Sequence, residues 1–160
     1  MSVEVKVKHT TEVVIQAINR QIANTYLLSI KYKKFHWHVS GPFFKQLHDL
    51  FDMHHGQLLT IIDDLAERSR SIGGHPIATA SEFINNSELE EAMGYNFSPL
   101  QMVEMLYSDS DLIIDSLHED IIQATNDSDP GTADLFTSIV QTIQKQAWFL
   151  AETKARGTLL

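Results

Sequence analysis

Five of the eight histidines in this chain fall between residues 36 and 55: His36, His38, His48, His54 and His55. Imidazole is a common metal ligand and proton carrier, but an isolated histidine is more often a surface group or a hydrogen-bonded core group. What distinguishes this cluster is the set of carboxylates that keep helical register with it. At about 100° per residue, Leu47, Leu50, Phe51, His54, Leu58, Ile61, Ile62 and Leu65 form one apolar stripe. His48, Asp52, Gly56, Leu59, Asp63 and Glu67 form a second face, with His55 on its border. A helix with one core face and one face of nitrogen and oxygen donors is expected here.

The second face does not build a metal site by itself. His48 and Asp52 lie one turn apart, as do Asp63 and Glu67, but about 22 Å of helix separates the two pairs. A second copy of the helix, running antiparallel across a two-fold axis, removes the gap. It sets His48 against Glu67 and Asp52 against Asp63, and it crosses beside Gly56. A mid-helix glycine costs roughly 0.5–1 kcal/mol relative to alanine, and close approach of a second backbone is a reason to keep it. This register predicts an isologous dimer with two equivalent sites. The alternative, that Asp63 and Glu67 only solvate an exposed face, stays open on spacing alone. His36, just before the Gly41-Pro42 turn, is placed to reach the first turns of the same helix. Mixed nitrogen and oxygen donors suit Fe(II), Mn or Zn rather than Mg or Ca.

The elements that must hold these residues are helices. Gly41-Pro42, Gly73-Gly74 with Pro76, Gly94 with Pro99, and Pro130-Gly131 divide the chain. From Thr10 to about Trp37, Val14, Ile18, Ile22, Tyr26 and Ile30 recur every fourth residue, with Val13 and Ala17 beside them. A second helix is expected over Phe43 to Ile72. A third follows Ser98, where Pro99 and Gln101 complete a capping-box pattern, and runs to about Ala124. A fourth is expected from a Thr132 cap through Phe136, Ile139, Ile143, Ala147 and Leu150 to about Ala155. Residues 73–98 must cross the length of the bundle, and ASEFINNSELEEAM has the composition of a short helix within that span. The prediction is an all-α four-helix bundle with one long crossover, the ferritin-like topology. It covers residues 10–156, between tails at 1–9 and 157–160.

Composition narrows the chemistry. The 160 residues contain no cysteine, which removes disulfides, thiolate metal sites, iron–sulfur clusters and cysteine nucleophiles. Twenty-one acids against twelve bases give a net charge of −9, a surface that draws cations and opposes nucleic acid. No apolar run is long enough to span a bilayer, and the first residues lack a leader's apolar core, so a cytoplasmic protein is expected.

The run HWHVSGPFFKQLHDLFD followed by DLAERSRSIGG resembles the Dps family of mini-ferritins, and DPGTADLFTSIV and AWFLAE are similar to that family's last helix. The resemblance implies a homododecameric shell built from two-fold dimers. It also implies intersubunit centres that oxidise Fe(II), preferentially with hydrogen peroxide, and store the ferric product inside, protecting against oxidative stress. It carries the catalytic and metal-binding roles onto His36, His48 and Asp52 of one subunit and Asp63 and Glu67 of another, with Trp37 near the site. By family position Asp134, and behind it Asp127 and Asp129, are candidates for an iron-entry pore. The simpler role for those three is capping a helix N-terminus, worth about 0.3–1 kcal/mol each.

The sequence departs from the family at positions 54 and 55, where apolar or aromatic residues are expected. His55, or less favourably His54, is a candidate for added nitrogen ligation that would shift preference toward Zn or Cu. His38 is expected to point away, to the surface. Lys6 and Lys8 stand against Glu4 and Glu12 at one end, and only Lys154 and Arg156 at the other, so strong DNA binding is not expected. A nucleoid-coating protein and a zinc-binding mini-ferritin with attenuated ferroxidase activity are the competing readings. A classical ferritin is disfavoured because no E-x-x-H pair occurs.

Overall fold

The computed structural model describes residues 12–154. They form α1 (Glu12–His38), α2 (Phe44–Ser71), α3 (Ala80–Asn86), α4 (Pro99–Asn126) and α5 (Pro130–Lys154), with no strand among the described residues. Short turns join α1 to α2 and α4 to α5, so each pair packs as an antiparallel hairpin. The crossover between α2 and α4 carries α3 and seats it on α1, where the Tyr26 and Phe83 rings stack at 4.1 Å. This is the all-α, four-helix bundle with one long crossover. The tail segments 1–9 and 157–160 lie outside the described residues.

The helix ends follow from capping chemistry. Ser98 accepts from the Gln101 N–H while Gln101 answers on the Ser98 N–H, and Pro99 fills the first helical position. Thr79 and Glu82 make the same reciprocal box at the start of α3. The last helix starts earlier than expected: Asp129, not Thr132, precedes its first residue. The Asp129 carboxylate accepts from both the Thr132 N–H (3.0 Å) and its hydroxyl (2.7 Å), which makes Thr132 the residue being capped.

The α2 stripe packs as its register predicts: Leu47, Phe51, His54, Leu58, Ile61 and Leu65 are buried, and Leu50 and Ile62 half-buried. On α5, Phe136, Ile139, Ile143, Ala147 and Leu150 are all buried. The α1 stripe needs correction. Val14, Ala17, Ile18 and Ile22 are in the core, but Val13 and Ile30 are each 51% exposed. A strict four-residue repeat advances about 40° per step around a helix, so by Ile30 it has rotated out of the bundle. The core side there is taken by Leu28, Tyr32 and Phe35, with Gln21, Asn24, Thr25 and Lys31 also buried along the helix.

Candidate metal centre

The α1–α2 hairpin holds His36 and His48 in a mutual lock. Their rings stack with centroids 3.7 Å apart. The Nδ1 of His36 lies 2.7 Å from the carbonyl oxygen of His48, and the Nδ1 of His48 lies 2.8 Å from the carbonyl oxygen of His36. A carbonyl only accepts, so each Nδ1 carries the proton and donates it. Both rings are thereby fixed as the tautomer whose Nε2 lone pair is available to a metal, the role that outer hydrogen bonds play for ligating imidazoles. Phe44 packs on His48 from the preceding turn, at 4.9 Å between centroids.

Asp52 lies one turn further along α2 and is exposed, with its carboxylate paired to Lys33 of α1. That ammonium, through its hydrogen bond and its charge, holds the carboxyl below its usual range against slight burial. The order Ser29, Lys33, His36 along α1 meets His55, Asp52, His48 along α2, as antiparallel neighbours must. Lys33 was not picked out from the sequence. It stands three residues before His36 on the same helix face, and that spacing was the available signal.

Asp63 and Glu67 are exposed on the same side of α2 but are not brought to His36, His48 and Asp52 within one chain. Among the described residues, no group of three or more histidine and acidic side chains in a single chain is close enough to hold a metal ion. Between the two ligand pairs, Gly56 and Leu59 are exposed, and a Cβ placed on Gly56 would meet nothing within 4 Å. One chain thus presents two separated halves of a donor set with an unobstructed strip of helix between them. The halves offer imidazole nitrogen and carboxylate oxygen, a mixture suited to Fe(II), Mn or Zn.

The neighbouring histidines separate sharply. His54 is buried, only 1% exposed, with Nδ1 3.1 Å from the Tyr32 hydroxyl and its ring edge-on to that of Tyr32 at 5.2 Å. Burial lowers its pKa from the ordinary value to about 4, and it keeps the Tyr32 phenol protonated as well. His54 is therefore a core imidazole turned toward α1 and α5, where Phe149 also meets it. His55 turns the other way, its Nδ1 donating to the Ser29 carbonyl at 2.9 Å. His38 is exposed beside Tyr95, as expected for a surface group. Trp37 is 67% exposed and lines a groove with Lys33, His38, His55 and Tyr95.

Of the pore candidates, Asp129 has a structural task. Besides capping α5 it pairs with Arg68 of α2 at 2.6 Å, and Arg68 also donates to the Thr132 hydroxyl. Burial pushes the Asp129 carboxyl up, but the Thr132 hydrogen bonds and the Arg68 guanidinium outweigh it and hold the carboxyl below its usual range. Asp127 is half-buried and accepts from Gln123, whereas Asp134 is exposed.

Sequence reasoning also missed a polar seam between α1 and α4. Gln21 donates to Ser116 (2.9 Å) and Asp120 (2.7 Å), and Arg20 pairs with Asp120. Asn24 bonds Glu88 of the crossover at 2.9 Å, and the buried Lys31 pairs with Asp109. Burial raises the Asp120 carboxyl in spite of its Gln21 and Arg20 partners.

Residues 15–158 match the family model for a ferritin-like domain. General stress protein 20U of Bacillus subtilis is 37% identical over 88% of this chain and 96% of its own length. DNA protection during starvation protein 2 of Bacillus anthracis is 36% identical over 86% of this chain and 93% of its own. Among solved structures, Dps from Thermosynechococcus elongatus superposes with a TM-score of 0.89 at 38% identity, covering 93% of this chain and 94% of that one.

Proposed function

Because the chain belongs to the ferritin-like Dps family, we propose that it is a ferroxidase and iron-storage protein whose metal centres are completed between two copies. Each centre takes His36, His48 and Asp52 from one copy and Asp63 and Glu67 from the other. The carrying observation is the division itself. One half is locked for ligation by the His36–His48 bonds, the other stands clear on the same helix, and the strip around Gly56 is open to a partner.

The chemistry follows from the donors. The imidazole Nε2 atoms bind Fe(II), and the three carboxylates favour Fe(III) as it forms, since a hard oxygen set stabilises the higher charge. Two Fe(II) ions and one hydrogen peroxide, with two protons, give two Fe(III) and two waters. Delivering both electrons together avoids release of a one-electron oxidant. Lys33 balances Asp52 until a cation replaces it. A homododecameric shell encloses the ferric product, and acidic residues such as Asp134 draw Fe(II) toward it. The cytoplasm is the compartment proposed, and no described helix is long and apolar enough to cross a membrane.

The Bacillus anthracis relative is named for protecting DNA. Any such protection by this chain is chemical rather than by coating, because a chain of net charge −9 is repelled by phosphate. The N-terminal lysines and Arg156 lie outside the described residues, and Lys154 is engaged with Glu104 at 3.7 Å.

The test is complementation. A His36→Ala/His48→Ala chain and an Asp63→Ala/Glu67→Ala chain should each lose fast Fe(II) oxidation by peroxide. Random co-assembly of the two should restore about a quarter of native activity, since half of the two-fold dimers then regain one of two sites. Failure of the mixture to recover any activity, with both chains folded and assembled, would defeat the shared centre. Parallel runs with peroxide and with dioxygen decide the oxidant.

A further inference from the structure

We propose that the small cavity between α2 and α5 is a binding site for a protonated oxyanion, a monoanion of the dihydrogen phosphate or bicarbonate type. Met53, His54 and Gln57 of α2 and Lys145, Gln146 and Phe149 of α5 line about 120 Å³ there. A single water needs about 10–15 Å³ of such space, so an ion of four or five heavy atoms has room. No carboxylate lines the cavity, in a chain that has 21 acidic residues. None of His36, His48, Asp52, Asp63 or Glu67 lines it either, so the site is separate from the metal centre.

Lys145 supplies the charge. Among the described residues, every other lysine and arginine meets a carboxylate or a main-chain carbonyl. Lys145 meets neither, and it stands at this cavity. His54 supplies a buried N–H. The Tyr32 phenol, itself fully buried, keeps its proton and donates it to His54 Nδ1 at 3.1 Å, so the ring hydrogen is on Nε2. Gln57 accepts from the Gln146 amide through Oε1 at 2.8 Å, which leaves its own N–H groups to donate.

Gln146 adds the opposite need. It is 1% exposed, its Nε2 is taken by Gln57 and by the His54 carbonyl at 3.4 Å, and its Oε1 is buried without a partner. Buried polar atoms are normally paired, so that oxygen calls for a donor. One ammonium and two kinds of N–H call for the oxygens of an anion, in charge-assisted hydrogen bonds. A protonated oxyanion meets both demands through its O–H and its charged oxygens, whereas sulfate or a halide meets only the second. Phe149 and Met53 give the cavity apolar walls, which strengthen hydrogen bonds made inside it.

The experiment titrates the intact assembly, with no iron added, by calorimetry against inorganic phosphate, bicarbonate, sulfate and chloride. Phosphate or bicarbonate should bind about fivefold or more tightly than sulfate and chloride, because only a bound O–H satisfies Gln146. The tighter of the two identifies the source of the oxyanion. Lys145→Met and His54→Phe should each weaken that binding about tenfold or more. Lys45→Met, at another exposed lysine, should leave it unchanged. In crystals soaked with the tighter ion, its oxygens should lie about 2.7–3.2 Å from Lys145 Nζ and His54 Nε2. The proposal is overturned if neither oxyanion binds, or if sulfate binds as tightly as both. Affinity within twofold of native in both folded variants, or ordered water alone in the cavity at saturating anion, overturns it equally.

Discussion

On the side of α1 that meets α4, polar groups close on one another. Gln21 reaches Ser116 and Asp120, Arg20 reaches Asp120, and Lys31 reaches Asp109, so most of the buried polar groups find partners within the chain, Gln21 Oε1 and Arg20 Nε excepted. On the side that meets α2, polar groups are held in position but left with capacity. His36, His48 and His55 spend one ring nitrogen on the backbone and keep the other, while Asp52 has only a replaceable ammonium, and Asp63 and Glu67 stay exposed. Buried polar networks are costly unless satisfied, so the first side must close to fold. A site for a cation must stop short of that closure, and the difference marks which polar cluster serves structure and which serves chemistry.

The largest expected break in this comparison comes from the open side. Asp63→Ala/Glu67→Ala should cut peroxide-driven Fe(II) oxidation by more than the roughly 10–100-fold that loss of a supporting residue costs. Its unfolding free energy should stay within about 0.5 kcal/mol of native, as for other exposed positions. Stopped-flow absorbance and urea unfolding read the two quantities. The closed side should answer in the opposite way. Asp120→Ala leaves Gln21 and Arg20 without their carboxylate and should lower stability by about 1–3 kcal/mol, while the folded fraction still binds divalent cations.

His54 sharpens the contrast through pH. Its folded pKa of about 4 lies below the ordinary 6.5, so between those values the unfolded chain binds a proton that the folded chain does not. Stability from this group is present above pH 6.5 and lost as the pH falls toward 4. The loss amounts to about 3 kcal/mol, because each pH unit between the two values is worth about 1.4 kcal/mol. Thermal unfolding across that window should show the slope, and His54→Phe should flatten it. If His54 were instead a free surface imidazole, the two profiles would coincide.

Two smaller effects probe the open strip. Gly56→Ala has room within one chain and should strengthen α2 by roughly 0.5–1 kcal/mol, yet weaken two-fold association, which sedimentation at decreasing concentration would detect. Lys33→Met removes the cation from Asp52 and should tighten Zn(II) binding by no more than about fivefold, since a half-exposed ion pair is worth about 1 kcal/mol at most. Unchanged affinity would mean that Lys33 does not compete for the carboxylate.

Much of the fold was legible because helix periodicity and capping are local. The two faces of α2, the Ser98–Gln101 box and the buried stripe of α5 all follow from spacing within a few turns. Where spacing was extended too far it failed. The every-fourth-residue pattern on α1 rotates away from the core before Ile30, and Thr132 proved to be the third residue of α5 rather than its cap.

The residue types and their register on α2 determined, without coordinates, which face carries donors and that one chain cannot close a site around them. Only the packed hairpin decided that His36 and His48 hold each other's protons in place, that Lys33 sits on Asp52, and that two adjacent histidines have opposite fates. His54 and His55 differ by about 100° of helix rotation, but whether that turns a ring into the core or toward a carbonyl depends on what α1 and α5 place opposite it. Tautomer, partner and burial are properties of pairs distant in sequence, and those pairs exist only once the helices are packed.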